Sequence, residues 1–252
     1  MKPLAVQLYS LRNECEQAFE NVIRELADIG YAGVETAGIP DSISVEKAAK
    51  LIEECGMAIA GAHLPLPIGS AKKEVIETAL VLDTKWIVNG AVDRNLFQNL
   101  RGVLHVCDLF NEANMAAREF GLNFAVHNHW WEFGMVDGQL PYKVMLERLD
   151  PTIFFELDAY WIQVAGHDPA AIVKEFGKRA PLIHLKDGPA ENYEDPMTAV
   201  GEGAVDYPAV VEAAEDTAEW LIVELDRCET NMMEAIRNSY QYLTSRGLAH
   251  GR

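Results

Sequence analysis

Residues 123–133 read Asn123-Phe-Ala-Val-His-Asn-His-Trp-Trp-Glu-Phe133. Phe124, Ala125 and Val126 are apolar and make a run of the length of a short buried strand. Gly121 stops a helix just before it, and His127, Asn128, His129 and Glu132 crowd its far end. Polar, ligand-type residues placed where a hydrophobic strand ends are the arrangement found at the mouth of a parallel barrel.

Upstream and downstream the same unit recurs. Residues 4–8 read as a strand, and Phe19, Val22, Ile23 and Leu26 then follow the i, i+3, i+4, i+7 spacing of a helix with one buried face. Gly30 closes that helix, because glycine takes the left-handed conformation without a Cβ penalty. Strands at 32–35, 57–63 and 86–89 alternate with helices at 45–54, 73–82 and about 100–117, and further strands fall at 153–157, 182–185 and 220–224. Helices near 169–176, 207–214 and 232–243 complete the second half. Continuous apolar strands alternating with helices predict a parallel sheet covered on both faces. Eight such strands in 252 residues predict an α/β fold, a single (β/α)8 TIM barrel of parallel strands forming one domain over residues 1–252. An open doubly wound sheet is the alternative, but no GxGxxG follows any strand.

Composition narrows the function classes. Lys plus Arg number 21 against 39 Asp plus Glu, a formal charge of -18, which repels phosphate backbones and anionic lipid and speaks against nucleic-acid or membrane partners. Cys15, Cys55, Cys107 and Cys228 show no short spacing, so neither a disulfide framework nor a zinc ribbon is expected. With no signal-type apolar stretch after Met1, a cytoplasmic protein is expected. Whether it forms a homo-oligomer is open at this level.

The predicted strand ends carry Gln7, Glu35, His63, Asn89, His127, Asp158, His184 and Glu224. Asn and Asp serve as helix caps, but His, Glu and Gln do not favour that position. Three carboxylates gathered in a low-dielectric mouth repel one another unless a cation or a proton sits among them. A divalent metal is the simplest occupant, and mixed imidazole and carboxylate ligation suits Mn, Fe, Co, Ni or Zn, with Mg as a further candidate.

The segments Gln7-Leu-Tyr-Ser-Leu-Arg12, His127-Asn-His-Trp-Trp-Glu-Phe133, Glu156-Leu-Asp-Ala-Tyr-Trp161, His184-Leu-Lys-Asp187, Gly201-Glu-Gly203 and Val223-Glu-Leu-Asp226 resemble the xylose-isomerase-like TIM barrels, specifically the sugar isomerase/epimerase group. The resemblance spans nearly the whole chain. It implies a divalent ion held by a Glu, Asp, His, Glu set from strands five to eight, which carries over to Asp158, His184 and Glu224. A Glu is expected at the end of strand five, where His127 stands, with Glu132 five residues later. Either Glu132 completes the metal site and frees His127 as an acid/base, or His127 ligates and Glu132 binds substrate. The first is preferred, because Glu132 has the reach and leaves an imidazole titrating near neutral pH beside the reacting carbon.

Each remaining candidate has a plainer alternative. His63 reads equally as a substrate contact or a core residue, whereas His105 and His250 are bystanders. Lys186 lies two residues past His184, so both point the same way, and it is a candidate to polarise a carbonyl or, like His129, to donate a proton; otherwise it pairs with Asp187 at the surface. Gln7, Glu35 and Trp161 join the substrate-binding set, and Trp130, Trp131 and Tyr160 either stack on a sugar face or fill the core. Residues 188–208 contain Pro189, Pro196, Gly201 and Gly203 with little apolar periodicity and predict a lid.

The expected chemistry is metal-dependent isomerisation or epimerisation of a sugar or keto-sugar by proton abstraction next to a carbonyl, through an enediolate. Elimination of a β-hydroxyl by the same first step, making a keto-sugar or cyclitol dehydratase/lyase, is the alternative. The acidic residues after strand seven disfavour a phosphorylated substrate. A non-catalytic sugar-binding barrel is a second class, and a DNA-repair nuclease is disfavoured by the charge and by only seven histidines, two of them remote.

Overall fold

Parallel pairing carries the chain around a closed ring. The computed structural model describes residues 1–252. Its strands are β1 (Lys2–Gln7), β2 (Gly33–Thr36), β3 (Ala58–His63), β4 (Trp86–Asn89), β5 (Asn123–His127), β6 (Phe154–Asp158), β7 (Leu182–Leu185), β8 (Trp220–Val223) and β9 (Ala249–His250). From β2 to β8 each pairs with the next, and β1 pairs with both β8 and β2, closing the eight-stranded barrel that the sequence predicted. The two-residue β9 adds to the outer start of β1.

The helices are α1 (Arg12–Ile29), α2 (Val45–Glu54), α3 (Lys72–Val81), α4 (Leu100–Arg118), α5 (Pro141–Arg148), α6 (Ala159–Val164), α7 (Pro169–Phe176), α8 (Tyr207–Ala214) and α9 (Met232–Ser245). In α1 the buried side chains include Phe19, Val22, Ile23 and Leu26, the face read from their spacing. Gly30 ends it at φ 114, with its N–H bonded to Leu26 O. The short α5 and α6, of 8 and 6 residues, add to the helices read from the sequence. No helix is long and apolar enough to cross a membrane, and the four cysteines are unpaired.

Alternate side chains of each strand face the barrel axis. The lowest interior layer is apolar: Ala5, Ala60, Trp86, Val88, Ala125, Leu182 and Ile222 form a cluster with Phe154 and Trp220 packed against it. Two residues further along the same strands, chemistry replaces packing. β6 runs Phe154, Glu156, Asp158 and β7 runs Leu182, His184, then Lys186 just beyond its end. A second cluster of 63 buried residues, drawn from strands, helices and loops, packs the strands against the helices in one core.

Residues 188–206 are not the free lid expected from their composition. Asp187 is wholly buried, and its carboxylate accepts from the backbone N–H groups of Gly188, Gly201 and Val205 at 2.9, 2.8 and 3.2 Å. A Cβ at Gly203 would collide with that carboxylate. Met197, Ala199 and Val200 are buried, and Val200 N–H donates to Ser239 Oγ at 2.9 Å. One aspartate therefore substitutes for the regular hydrogen bonding that the segment lacks. Asp187→Ala leaves three backbone donors without their acceptor and is expected to cost about 3 kcal/mol, read as a lower urea midpoint, with new proteolytic cleavage confined to residues 188–206.

Candidate active site

Register places the polar layer. β5 pairs with β6 so that His127 faces Glu156, and β6 with β7 so that Asp158 faces His184. His127 Nδ1 lies 2.8 Å from Glu156 Oε2, and His127 Nε2 points to Asp158 Oδ2 at 3.9 Å. His184 Nδ1 lies 2.8 Å from Glu224 Oε2, while its Nε2 meets Glu35 Oε2 at 2.7 Å and Glu156 Oε2 at 3.0 Å. Gly90 makes room for this, since a Cβ there would stand 3.2 Å from the His127 ring. The two oxygens of Asp158 differ: Oδ1 caps α6 by accepting from Trp161 N–H at 3.1 Å, and Oδ2 is buried with no hydrogen-bond partner.

Lys186 is not a surface residue paired with Asp187. It is 2% exposed, and its Nζ lies 2.8 Å from Glu224 Oε2 and 3.1 Å from both Asp158 Oδ2 and Asp226 Oδ2. The approach to Asp158 brings opposite charges together without hydrogen-bond alignment, which is why that oxygen stays unpartnered. Burial opposes the charge on Lys186, but Asp158, Asp226 and Glu224 outweigh it and hold the ammonium charged far above its ordinary range. Burial likewise opposes a charge on His63, yet Glu156 and Glu35 raise its pKa to about 10. His184 is raised too, by Glu156, Glu224 and Glu35 against burial. Asp158 is pushed up to about 6 by burial, partly offset by Lys186.

His127, Asp158, His184 and Glu224 form one group of donors within 4.8 Å of one another, and His63, His127, Glu156 and His184 form a second. The charge balance fits a cation in the first. Glu35, Glu156, Asp158, Glu224 and Asp226 are five carboxylates gathered around three cationic groups, His63, His184 and Lys186. Carboxylates outnumber the cationic groups, and a divalent ion would supply positive charge once His184 gives up a proton to bind it; the unpartnered Asp158 Oδ2 and the mixed nitrogen and oxygen donors suit such an ion.

Above this floor opens a cavity of about 900 Å³, lined among others by His63, His127, His129, Trp161, Lys186 and Glu224. Trp130 stacks on Tyr193 at 4.8 Å and meets Trp161 at 4.9 Å, while His129 stacks on Trp131 at 4.0 Å, giving one wall of aromatic faces. Burial, then the charges of His127 and Lys186, lower the His129 pKa well below 6.5, so its imidazole is neutral at physiological pH.

A model of the xylose isomerase-like TIM barrel family matches residues 23–246. The chain belongs to that family. Among solved structures with this xylose isomerase-like barrel, a sugar phosphate isomerase/epimerase from Parabacteroides distasonis superposes with a TM-score of 0.82 at 23% identity, covering 98% of this chain and 95% of that one. A probable 3-DHS dehydratase from Bacillus anthracis superposes with a TM-score of 0.78 at 15% identity, covering 98% of this chain and all of the other (100%). An inosose dehydratase of Clostridium beijerinckii is 20% identical over 264 residues, 90% of this chain and 87% of that protein. At these identities the likeness is one of fold, and it reaches both proton-transfer and dehydrating enzymes.

Of the residues named from sequence, Asp158, His184, Glu224 and His127 come together, with Lys186 between them. Glu132 does not join them. Its Oε2 instead accepts from His129 N–H at 2.9 Å, tying the loop after β5 to itself, and it belongs to neither donor group. The reach credited to its side chain is spent on the nearest backbone donor. Gln7 and Glu35 do not touch the cavity: both are wholly buried, and Gln7 Nε2 donates to Glu35 Oε2 at 2.7 Å beneath His184. His105 and His250 are exposed and remote, as expected. Glu156 and Asp226 were given no role from sequence, although each stands two residues from a named ligand and so shares its face.

Burial pushes the Glu132 carboxyl up to about 8, from an ordinary 4.5. A folded-state pKa above the unfolded one means stability that is full below pH 4.5 and lost as pH rises through about 8. Glu132→Gln keeps the acceptor without the charge, so its melting temperature is expected to exceed the wild type's at pH 8 and to match it at pH 4. Calorimetric titration with Mn²⁺ is expected to give the same affinity for both; a large loss would restore Glu132 as a ligand.

Proposed function

We propose that this chain is a divalent-metal-dependent enzyme that removes the proton next to the carbonyl of a sugar or keto-sugar, giving isomerisation or epimerisation. The convergence of His127, Asp158, His184 and Glu224 beneath an aromatic-walled cavity carries this reading. These four residues would hold the ion, with His127 as the fourth donor in place of Glu132. When bound, a divalent ion supplies Lewis-acid polarisation of a carbonyl and its neighbouring hydroxyl.

The protein's own groups divide the remaining work. With His127 engaged, His129 is the base: neutral, on the cavity wall, and held against Trp131. Lys186, charged and on the cavity floor, would stabilise negative charge developing on the substrate oxygen. The aromatic faces of Trp130, Trp161 and Tyr193 would shed water and stack on the apolar face of a ring. An unphosphorylated substrate is favoured even though the Parabacteroides protein is named for sugar phosphates. Lys186 is already surrounded by three carboxylates, and Arg227 already donates to the backbone oxygens of Asp195 and Tyr193. No lining cation is left free for a phosphate.

A dehydratase is the second reading, supported by the two dehydratases among the relatives and by His63. His63 lines the cavity and stays protonated to about pH 10, so it is placed to give a proton to a departing hydroxyl.

Metal-loaded protein incubated in deuterated water with aldoses, ketoses, keto-glycosides and keto-cyclitols is expected to exchange the hydrogen next to the carbonyl of at least one, read by NMR. Appearance of an enone absorbance instead of a rearranged sugar would select the dehydratase. His129→Ala is expected to lower exchange by about 10²–10⁴-fold while leaving metal affinity intact. His127→Ala is expected to weaken metal binding by at least ~100-fold, the upper end of the loss for residues acting through a ligand. Exchange by no substrate of the panel, with or without metal, would remove the enzymatic reading.

A further inference from the structure

Below the mouth donors, one oxygen atom meets three imidazoles. Glu156 Oε2 lies 2.8 Å from His63 Nε2, 2.8 Å from His127 Nδ1 and 3.0 Å from His184 Nε2. Glu35 Oε2 adds a second acceptor for His184 Nε2 at 2.7 Å, and is itself held by Gln7. Both carboxylates are wholly buried, and neither lines the cavity. Their other oxygens, Glu35 Oε1 and Glu156 Oε1, have no hydrogen-bond partner, so the bonding of each is concentrated on the atom that faces the rings. The backbone is cut to fit them: a Cβ on Gly61 would stand 2.5 Å from Glu35 Oε1.

An ionised carboxylate oxygen can only accept, so the nitrogens pointing at it must carry their hydrogens. Three ring nitrogens converge on Glu156 Oε2, and one oxygen carries at most one hydrogen, so it serves them as a shared acceptor. A neutral imidazole has one N–H, and once that is committed downward the opposite nitrogen is left with a lone pair. For His127 that nitrogen is Nε2, which faces Asp158 Oδ2 across 3.9 Å, beyond hydrogen-bond distance. His184 differs, with a carboxylate oxygen at each nitrogen, Glu224 at Nδ1 and Glu35 and Glu156 at Nε2, so both keep their hydrogens. The His127 lone pair alone then faces the mouth, where the first donor group lies.

We infer that Glu156 is a positioning residue that fixes the tautomer of His127, so that this ring presents a bare Nε2 to a divalent cation. The inference rests on the metal-dependent reading for its purpose but not for its geometry. It also explains why the carboxylate of Glu156 is retained in a buried layer where an apolar side chain would pack at lower cost.

The test uses Glu156→Gln and Glu156→Leu in the full chain, each checked for folding by circular dichroism. Histidine tautomers are read from long-range ¹⁵N–¹H NMR of metal-free protein at fixed pH, and Mn²⁺ and Zn²⁺ affinities by calorimetry. Wild type is expected to show His127 protonated on Nδ1. In Glu156→Leu, or in Glu156→Gln if the leucine variant does not fold, that tautomer is expected to give way to a mixture. Metal affinity is expected to fall by about 10–100-fold, the range for outer partners of ligating histidines. Glu224→Gln serves as the contrast, weakening metal binding while leaving the His127 tautomer in place. An unchanged His127 tautomer in the Glu156 variants would overturn the inference, as would changed tautomers with unchanged affinity. Should wild type bind neither metal, the metal-dependent reading fails by itself, and the tautomer result alone upholds or overturns the role of Glu156.

Discussion

Burying charge inside a closed barrel is the constraint on which the rest of this structure depends. Ionised groups at this depth are tolerated only when each faces an opposite charge or a hydrogen-bond donor. The molecule meets that condition by stacking. An apolar plug built on Trp86, Leu182 and Ile222 seals the bottom, a tier of imidazoles and carboxylates sits on it, and Asp158, Lys186 and Asp226 stand above. Each tier supplies the partners of the next. Lys186 is the keystone of the upper one, since three carboxylates converge on its ammonium.

The two tiers also separate two jobs. Among the upper groups, Lys186, Glu224 and Asp226 border a cavity of about 900 Å³, and Asp158 Oδ2 behind them has no hydrogen bond to hold it. The lower groups are held more tightly, because Glu35 and Glu156 have no exposure and His184 is pinned between Glu35 and Glu224. A reactive layer held from below by a rigid one is the usual way in which ligand geometry is fixed before a ligand arrives. The loop after β7 follows the same logic away from the centre. A single buried carboxylate, Asp187, organises a stretch of chain that has no regular structure, and so keeps Tyr193 poised against Trp130 at the cavity rim.

The family's barrel accommodates both proton transfer and dehydration because the two share a first step and differ only in where charge and protons go next. Here the neutral His129 and the charged His63 both border the cavity. A neutral and a charged imidazole thus face the cavity together, and under the proposed function the substrate's own leaving group would decide between the two outcomes.

The sequence by itself determined the barrel. The recurrence of apolar strand, helical period and terminal glycine is a local signal, and it located β4, β7, α2, α7 and α8 to the residue. It also placed Asp158, His184 and Glu224 at or beside the ends of their strands, because period-two alternation is local as well. Only the tertiary structure decided what those side chains touch. Glu132 bonds to its own loop, while His127 stands with Asp158, His184 and Glu224; Gln7 and Glu35 lie beneath His184, away from the cavity; Lys186 is buried among carboxylates. The physical reason is that barrel closure and strand register bring together atoms 28 to 149 residues apart, from Gln7 with Glu35 to Glu35 with His184. No pattern within one segment encodes which of two neighbouring polar residues will find the shorter path to a partner on another strand.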